Sequence, residues 1–315
     1  MDQYIVTKSD VLEILDKNNL YAISIIKLPR SGQRQVFEIT FGNGKASILK
    51  FVDVTPYGVF ERLEWFDDFS EEEFQQEHAY EIEVNSKRIV RELDAAKKCT
   101  ILPQLEVLDE YKIYIKDKHQ FIYYFETKFQ GKTLSQSELY HQEQGIDTII
   151  DFLLQMVKQI KVMYDSGYVH RDLTPRNIIY LHGQFKIIDA GLVKSNEEEK
   201  LTATRATIGT PYYMAPEQAK RTSEYVWDFR TDLFPLGIIA IEMFLPNTRH
   251  FSSEQIRDMH RVFPLWQGKD SSTKSMIVFG KLVARLAAEQ RYKRWSDLSE
   301  LIHSLETLTV KEESK

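Results

Sequence analysis

One cysteine in 315 residues allows no internal disulfide and no cysteine-rich zinc site. Cys99 is therefore expected to be buried filler, a thiol of the kind a reducing cytosol permits. Positive charge is scarce as well. Forty-one Lys and Arg stand against forty-seven Asp and Glu, a net of −6, which leaves no cationic excess to neutralise a phosphate backbone, and nucleic acid is not an expected partner. Long hydrophobic runs are missing. The longest apolar stretch, Leu236 to Leu245, is interrupted by Glu242 and is about half the ~20 residues that cross a bilayer, so no membrane span is expected. Met1 to Asp16 has no basic start followed by an apolar run and is not expected to be a secretory signal, which makes a cytoplasmic location the expectation. No internal repeat or low-complexity tract is present. What remains is ordinary globular composition, 43% hydrophobic and 28% charged, in a chain long enough for one large fold or a two-lobed unit.

The first half reads as strands. Ile23 to Leu28, Val36 to Phe41 and Ala46 to Val52 are rich in β-branched and aromatic residues, and Gly42-Asn43-Gly44 marks a hairpin between the last two. Tyr111 to Ile115 and Phe121 to Phe125 give a second pair. Between the groups, Arg88 to Cys99 has helical spacing, with Ile89, Leu93 and Ala96 on one face and Pro103 as a stop. The second half reads as helices: one capped by Asp147 and closed by Gly167, one opening at Thr231 or Asp232 with Pro235 in its first turn, and others near 254–262, 274–288 and 297–308. Strands followed by helices indicate an α+β fold of two lobes. The expected organisation is an extension over 1–20, a strand-rich lobe over 21–129 and a helical lobe over 130–315. One region is biased: Val54 to Val90 holds ten acids and three bases, an acidic insertion at about 54–88.

The residues that carry chemistry lie in the second half. His170-Arg171-Asp172-Leu173-Thr174-Pro175-Arg176-Asn177 follows Gly167; Lys186-Ile187-Ile188-Asp189-Ala190-Gly191 places Asp189 twelve residues after Asn177; Ala215-Pro216-Glu217 lies twenty-eight after Asp189. Taken singly, an Asp or Asn is usually a turn or a cap. Three motifs in order and spacing are not.

This pattern resembles the protein-kinase superfamily, and within it the bacterial serine/threonine kinases of eukaryotic type, over roughly residues 21–305. The resemblance implies a bilobal fold that holds ATP and Mg²⁺. It makes Asp172 the carboxylate near the acceptor proton, Asn177 and Asp189 the Mg²⁺ ligands, and Lys50 the grip on the α- and β-phosphates. Lys50 sits in an apolar strand, where a cation needs a partner. The resemblance points to Glu92 in the helix, with Glu77 as runner-up. Ser31, Gly32 and Val36 correspond to the phosphate-covering loop, and Glu126 and Thr127 to the segment that receives adenine. Arg171 is expected to meet a phosphorylated activation segment at Thr202, Thr204 or Thr207. Glu217 with Arg294 is an expected buried pair, and Asp232 an expected anchor for the catalytic-loop backbone.

The sequence also departs from the family. Pro29 to Val36 contains one glycine where three are usual, which reduces close backbone approach to phosphates; Arg30 or Arg34 is a candidate cationic substitute. Ala190 replaces a usual Phe, and Thr174 a usual Lys. Three functions compete: an active serine/threonine protein kinase that phosphorylates its own activation segment, a pseudokinase or nucleotide-binding scaffold, and a small-molecule kinase of aminoglycoside type. Gly209-Thr210-Pro211 favours serine/threonine over tyrosine, while Arg176 leaves tyrosine open. Substrate and oligomeric state are unspecified. The acidic insertion is a candidate dock for a basic partner, set against a merely solvated acidic face.

Overall fold

The computed structural model describes residues 5–29, 34–56, 71–189, 194–195, 212–219, 227–246 and 274–310. The chain divides into two compact units, Met1–Lys128 and Phe129–Lys315.

The first unit opens with helix α1 (Lys8–Lys17). Thr7 Oγ1 accepts from Asp10 N–H at 3.3 Å while Asp10 Oδ2 accepts from Thr7 N–H at 2.8 Å, a reciprocal cap that satisfies two orphan donors. Strands β1 (Ala22–Lys27), β2 (Arg34–Phe41) and β3 (Ala46–Asp53) follow, then helix α2 (Glu71–Lys98) and strands β4 (Lys112–Lys116) and β5 (His119–Thr127). The strands form one antiparallel sheet in the order β1-β2-β3-β5-β4. At the β2–β3 turn Gly44 has φ +80°, a conformation open to glycine at no steric cost.

Because side chains alternate along a strand, the register sorts the sheet into two unlike faces. Phe37, Ile39, Phe41, Leu49, Phe51, Phe121, Tyr123 and Phe125 share one face, buried with Val11, Ile14 and Leu15 of α1. Residues 5–20, set apart by the sequence pattern as an extension, are thus built into this unit; Tyr114 also donates to Asp10 at 2.8 Å. The opposite face carries Val52, Ile122 and Tyr124 against Ile89 and Leu93 of α2. That face also bears Arg34, Lys50 and Glu126. Helix α2 begins seventeen residues before the expected Arg88. Its apolar stripe covers only the last turns, whereas the acidic stretch before it consists of strong helix formers that need no buried face to be helical. The part of the expected insertion from Glu71 onward is therefore helix, and residues 57–70 lie outside the described residues.

The second unit contains β6 (Lys132–Thr133), α3 (Glu138–His141), α4 (Ile146–Asp165), β7 (Tyr168–Val169), β8 (Ile178–Leu181), β9 (Gln184–Ile187), β10 (Lys194–Ser195), α5 (Pro216–Ala219), α6 (Arg230–Phe244), α7 (Lys274–Leu286) and α8 (Leu298–Val310). Gly145, not Asp147, is the N-cap of α4; Asp147 lies in its first turn, where a carboxylate still favours the helix dipole. Pro235 is the sixth residue of α6 rather than part of its first turn. Helix α6 is buried all round, from Thr231 to Phe244, as a helix enclosed by others must be. It packs against α4 and α7, and α4 packs against α8 and β9. The expected helix near 254–262 lies outside the described residues.

Each unit offers a packing test. Ile14, fully buried under the sheet, should cost about 2–5 kcal/mol as Ile14→Ala in chemical denaturation. A Cβ on Gly237 would lie 2.7 Å from the Ala287 backbone nitrogen and 2.8 Å from its Cβ. Gly237→Ala should therefore destabilise by about 1–3 kcal/mol. A free energy unchanged in either variant contradicts the packing described.

Candidate active site

His170 to Asn177 join β7 to β8. The backbone N–H groups of His170 and Arg171 donate to Asp232 Oδ2 at 2.8 Å and Oδ1 at 2.7 Å. Burial raises the Asp232 pKa, and His170, Arg171 and the two amide bonds oppose that rise. Arg171 has φ +68°, a left-handed conformation that costs a non-glycine residue about 1–2 kcal/mol. The paired bonds to Asp232 hold that turn in place.

Beyond the turn, Asn177 Nδ2 donates to the Asp172 carbonyl at 2.8 Å and to its Oδ2 at 3.3 Å. Ile188 N–H donates to the Asn177 carbonyl at 2.9 Å, which sets Asn177 beside the strand end from which Asp189 follows, itself at φ +65°. His170 closes the arrangement. Its Nδ1 accepts from Asp172 N–H at 3.3 Å and its Nε2 faces the Ile188 carbonyl at 3.3 Å, which assigns the Nε2–H tautomer. Strand β9 is held in turn by α4: Gln155 accepts from Phe185 N–H at 3.0 Å, and Gln159 accepts from Ile187 N–H at 3.0 Å while donating to the Phe185 carbonyl at 2.8 Å. These glutamines escape a reading for catalytic motifs, though two amides on an otherwise apolar helix stripe are a visible signal.

The donor chemistry fits Mg²⁺ held together with a nucleotide. Both Asn177 amide contacts to Asp172 use Nδ2, so Oδ1 is left as a hard oxygen donor, and Asp189 supplies a carboxylate. Among the described residues no group of three or more His, Cys, Asp or Glu could hold a metal alone. Mg²⁺ bound with phosphates needs only one or two protein ligands.

Elsewhere in this unit, Glu217 and Arg294 form a bidentate pair at 2.6 and 2.9 Å, both essentially buried. Arg294 also donates to the carbonyls of Ala288 at 2.8 Å, Arg230 at 2.9 Å and Glu289 at 3.3 Å, so its guanidinium is saturated. Arg171 stacks over Trp227 with Cζ 4.6 Å from the ring centre, and burial lowers its pKa to about 10. Thr202, Thr204 and Thr207 lie outside the described residues. A cluster the sequence did not flag joins Tyr140, Tyr213 and Glu242: both hydroxyls bond Glu242 Oε2, which ties α3 and the segment before α5 to α6.

In the first unit Lys50 lies on β3, 6% exposed, opposite Val36 and Tyr124. Its Nζ pairs with Glu126 Oε1 at 2.7 Å. The expected Lys50–Glu92 pair is not formed: Glu92 bonds Arg34, and its second oxygen, Oε1, is buried without a partner. Glu77, the runner-up, is exposed on α2. Arg34, a candidate cation for phosphate, is 8% exposed and engaged with Glu92, and Arg30 lies outside the described residues. Thr127 N–H and Oγ1 both donate to the Gln104 carbonyl, at 2.8 and 3.2 Å. Ser31 and Gly32 lie outside the described residues.

Residues 70–309 match the protein kinase domain family. The chain belongs to this family. The match begins after β3, so Lys50 is assigned from its strand and not from the match. Over 114 residues, 36% of the chain, this kinase domain is 33% identical to a probable serine/threonine-protein kinase of Clostridium acetobutylicum. It is 30% identical over 156 residues, 48% of the chain, to the serine/threonine-protein kinase PknE of Mycobacterium tuberculosis. It is 46% identical over 79 residues, 24% of the chain, to the DNA damage-responsive serine/threonine-protein kinase RqkA of Deinococcus radiodurans. The matched stretches span 17%, 27% and 11% of those relatives, respectively.

Two stability measurements follow. Glu217→Ala or Arg294→Ala leaves a buried charge unpaired and should each cost about 3–5 kcal/mol; a melting temperature unchanged in both contradicts the pairing. Burial pushes the Glu92 carboxyl from 4.5 up to about 7, against the pull of Arg34, Arg88 and Lys50. The folded state then keeps this proton to higher pH than the unfolded chain does. Wild type should lose stability relative to Glu92→Gln as pH rises from about 4.5 to about 7, by on the order of 3 kcal/mol. Urea midpoints that differ by a constant amount across that window would exclude the shift.

Proposed function

We propose that this kinase domain transfers the γ-phosphate of Mg-bound ATP to protein serine or threonine hydroxyls, including its own activation segment, in the cytoplasm. The observation that carries the reading is the Asp172–Asn177 pair on a loop anchored to Asp232. A carboxylate fixed in this way accepts the hydrogen bond of an incoming hydroxyl, orients its oxygen toward phosphorus and takes the proton as the new P–O bond forms, with ADP leaving. Asn177 Oδ1 and the Asp189 carboxylate are the groups that would hold Mg²⁺, which when bound neutralises charge developing on the phosphate oxygens. Lys50 gives a point charge for the nucleotide phosphates. None of the described residues forms a helix long and apolar enough to cross a membrane.

Arg171 supports a regulatory part of this reading. Phosphate on Thr202, Thr204 or Thr207 adds about −1.5 to −2 charges that a guanidinium can bind. The acidic residues at the start of α2 would favour a basic protein partner.

A second reading, a nucleotide-binding scaffold without transfer, draws on Arg34: a residue of the phosphate-loop region is occupied by Glu92 instead of phosphate. One experiment separates the two. Radiolabelled γ-phosphate should pass from Mg·ATP to the chain and to a basic acceptor protein, and Lys50→Met, Asp172→Asn and Asp189→Asn should each reduce this by at least ~10²-fold. Phosphatase treatment should lower transfer to the added acceptor, as should the double change Thr202→Ala and Thr204→Ala. Wild-type turnover in Asp172→Asn excludes the kinase assignment, and ATP binding without transfer by wild type establishes the scaffold.

A further inference from the structure

We infer that Glu126, on β5, is the positioning residue for Lys50, and that Arg34 commits Glu92 to a separate pair. The inference rests on the proposed role of Lys50 in gripping nucleotide phosphates, and its structural half stands without that role.

The sheet register makes the pairing a matter of geometry. Lys50 lies directly opposite Tyr124, and Ile48 opposite Glu126, so Glu126 is the diagonal neighbour of Lys50 on the face toward α2. Diagonal neighbours across an antiparallel pair are within reach of long side chains, and the two side chains meet at 2.7 Å with 8% and 12% exposure. On the other side of Lys50, Arg34 stands opposite Val52 on β2, shares the same face, and reaches α2 to bond Glu92.

Around Lys50 this face joins Lys50 to Glu126 within the sheet and Arg34 to Glu92 between sheet and helix, while Glu38, farther along β2, pairs with Lys128. Tyr124 of β5 and Arg88 of α2 are further ionisable groups near them. Each carboxylate meets a cation supplied by a neighbouring strand. Glu92 uses only Oε2, and its buried Oε1 has no hydrogen-bond partner, so the helix carboxylate is turned to Arg34 rather than shared with Lys50. Arginine suits this task, since it stays charged on burial and reaches further than lysine.

Two consequences follow from the wiring. The ion pair that positions Lys50 comes from β5, which is hydrogen-bonded to β3, and Glu92 of α2 acts on Lys50 only as a lesser charge. The charge state of Lys50 also depends chiefly on Glu126: burial lowers its pKa, and Glu126 is the largest influence that raises it, ahead of Glu92. A carboxylate at 126 therefore keeps a buried lysine cationic and aimed.

The test uses the full chain with lysines labelled at ¹³Cε, the Lys50 signal being assigned by its absence in Lys50→Arg. In Glu126→Gln the Lys50 signal should titrate at lower pH than in wild type, and Glu92→Gln should shift it less. In parallel, Glu126→Gln should lower kcat/KM for ATP at least tenfold, chiefly through KM, with Glu126→Asp recovering part of the loss and thus excluding a merely structural effect. A Lys50 titration unmoved by Glu126→Gln but moved by Glu92→Gln overturns the inference whatever the activities are. An altered Lys50 titration in a wild type and variants that all fail to transfer phosphate supports the pairing and retires the kinase reading instead.

Discussion

Asp232 is the interaction on which the rest of the second unit's chemistry depends. A carboxylate enclosed by α6 and its neighbours is costly to keep charged, and that cost is offset by the consecutive backbone N–H groups of His170 and Arg171. Neither partner is dispensable to the other: the loop needs an acceptor to hold Arg171 in a left-handed conformation, and the carboxylate needs donors to be buried at all. Asp172 follows Arg171 in the chain, Asn177 donates to Asp172, and Ile188, the neighbour of Asp189, donates to the Asn177 carbonyl. The residues proposed for catalysis are thus positioned by bonds rooted in a helix that is buried from Thr231 to Phe244.

The first unit solves a different problem with different means. Its sheet has an aromatic face closed by α1 and a charged face turned to α2. Placing Lys50 on a buried face requires anionic company, and the protein provides it within the sheet through Glu126, while Arg34 and Glu92 tie sheet to helix. Substituting an arginine into a region where close phosphate approach favours glycine makes sense in these terms: the residue serves the lobe's internal electrostatics.

Much of this was legible in the sequence because local rules govern it. Alternating β-branched and aromatic residues located five strands to within a few positions, and the glycine-flanked turn located the β2–β3 hairpin. Asp172, Asn177, Asp189 and Glu217 stood out through motif spacing and Arg294 and Asp232 through the family resemblance, and the structure brings Asp172 to Asn177, Glu217 to Arg294, and Asp232 to the loop backbone. The failures have physical causes. Helix α2 was read as short because only its last turns carry an apolar stripe, and the acidic turns before it have propensity but no periodicity. The partner of Lys50 was assigned to the helix by the family resemblance, and a cross-strand diagonal such as Glu126 needs a register that the residues alone do not specify. Gln155 and Gln159 were passed over because their role is toward backbone groups, which no side-chain motif records.

The anchoring role of Asp232 is open to one direct measurement, amide hydrogen exchange across residues 170–177 in wild type and Asp232→Asn, read beside phosphate transfer. A carboxamide offers one acceptor oxygen where the carboxylate offers two, so one loop amide loses its partner. Exchange at His170 and Arg171 is predicted to accelerate, and transfer to fall by at least ~10²-fold, while α6 keeps its protection. Unchanged loop protection together with wild-type transfer in Asp232→Asn would contradict the claim that this buried carboxylate holds the catalytic loop.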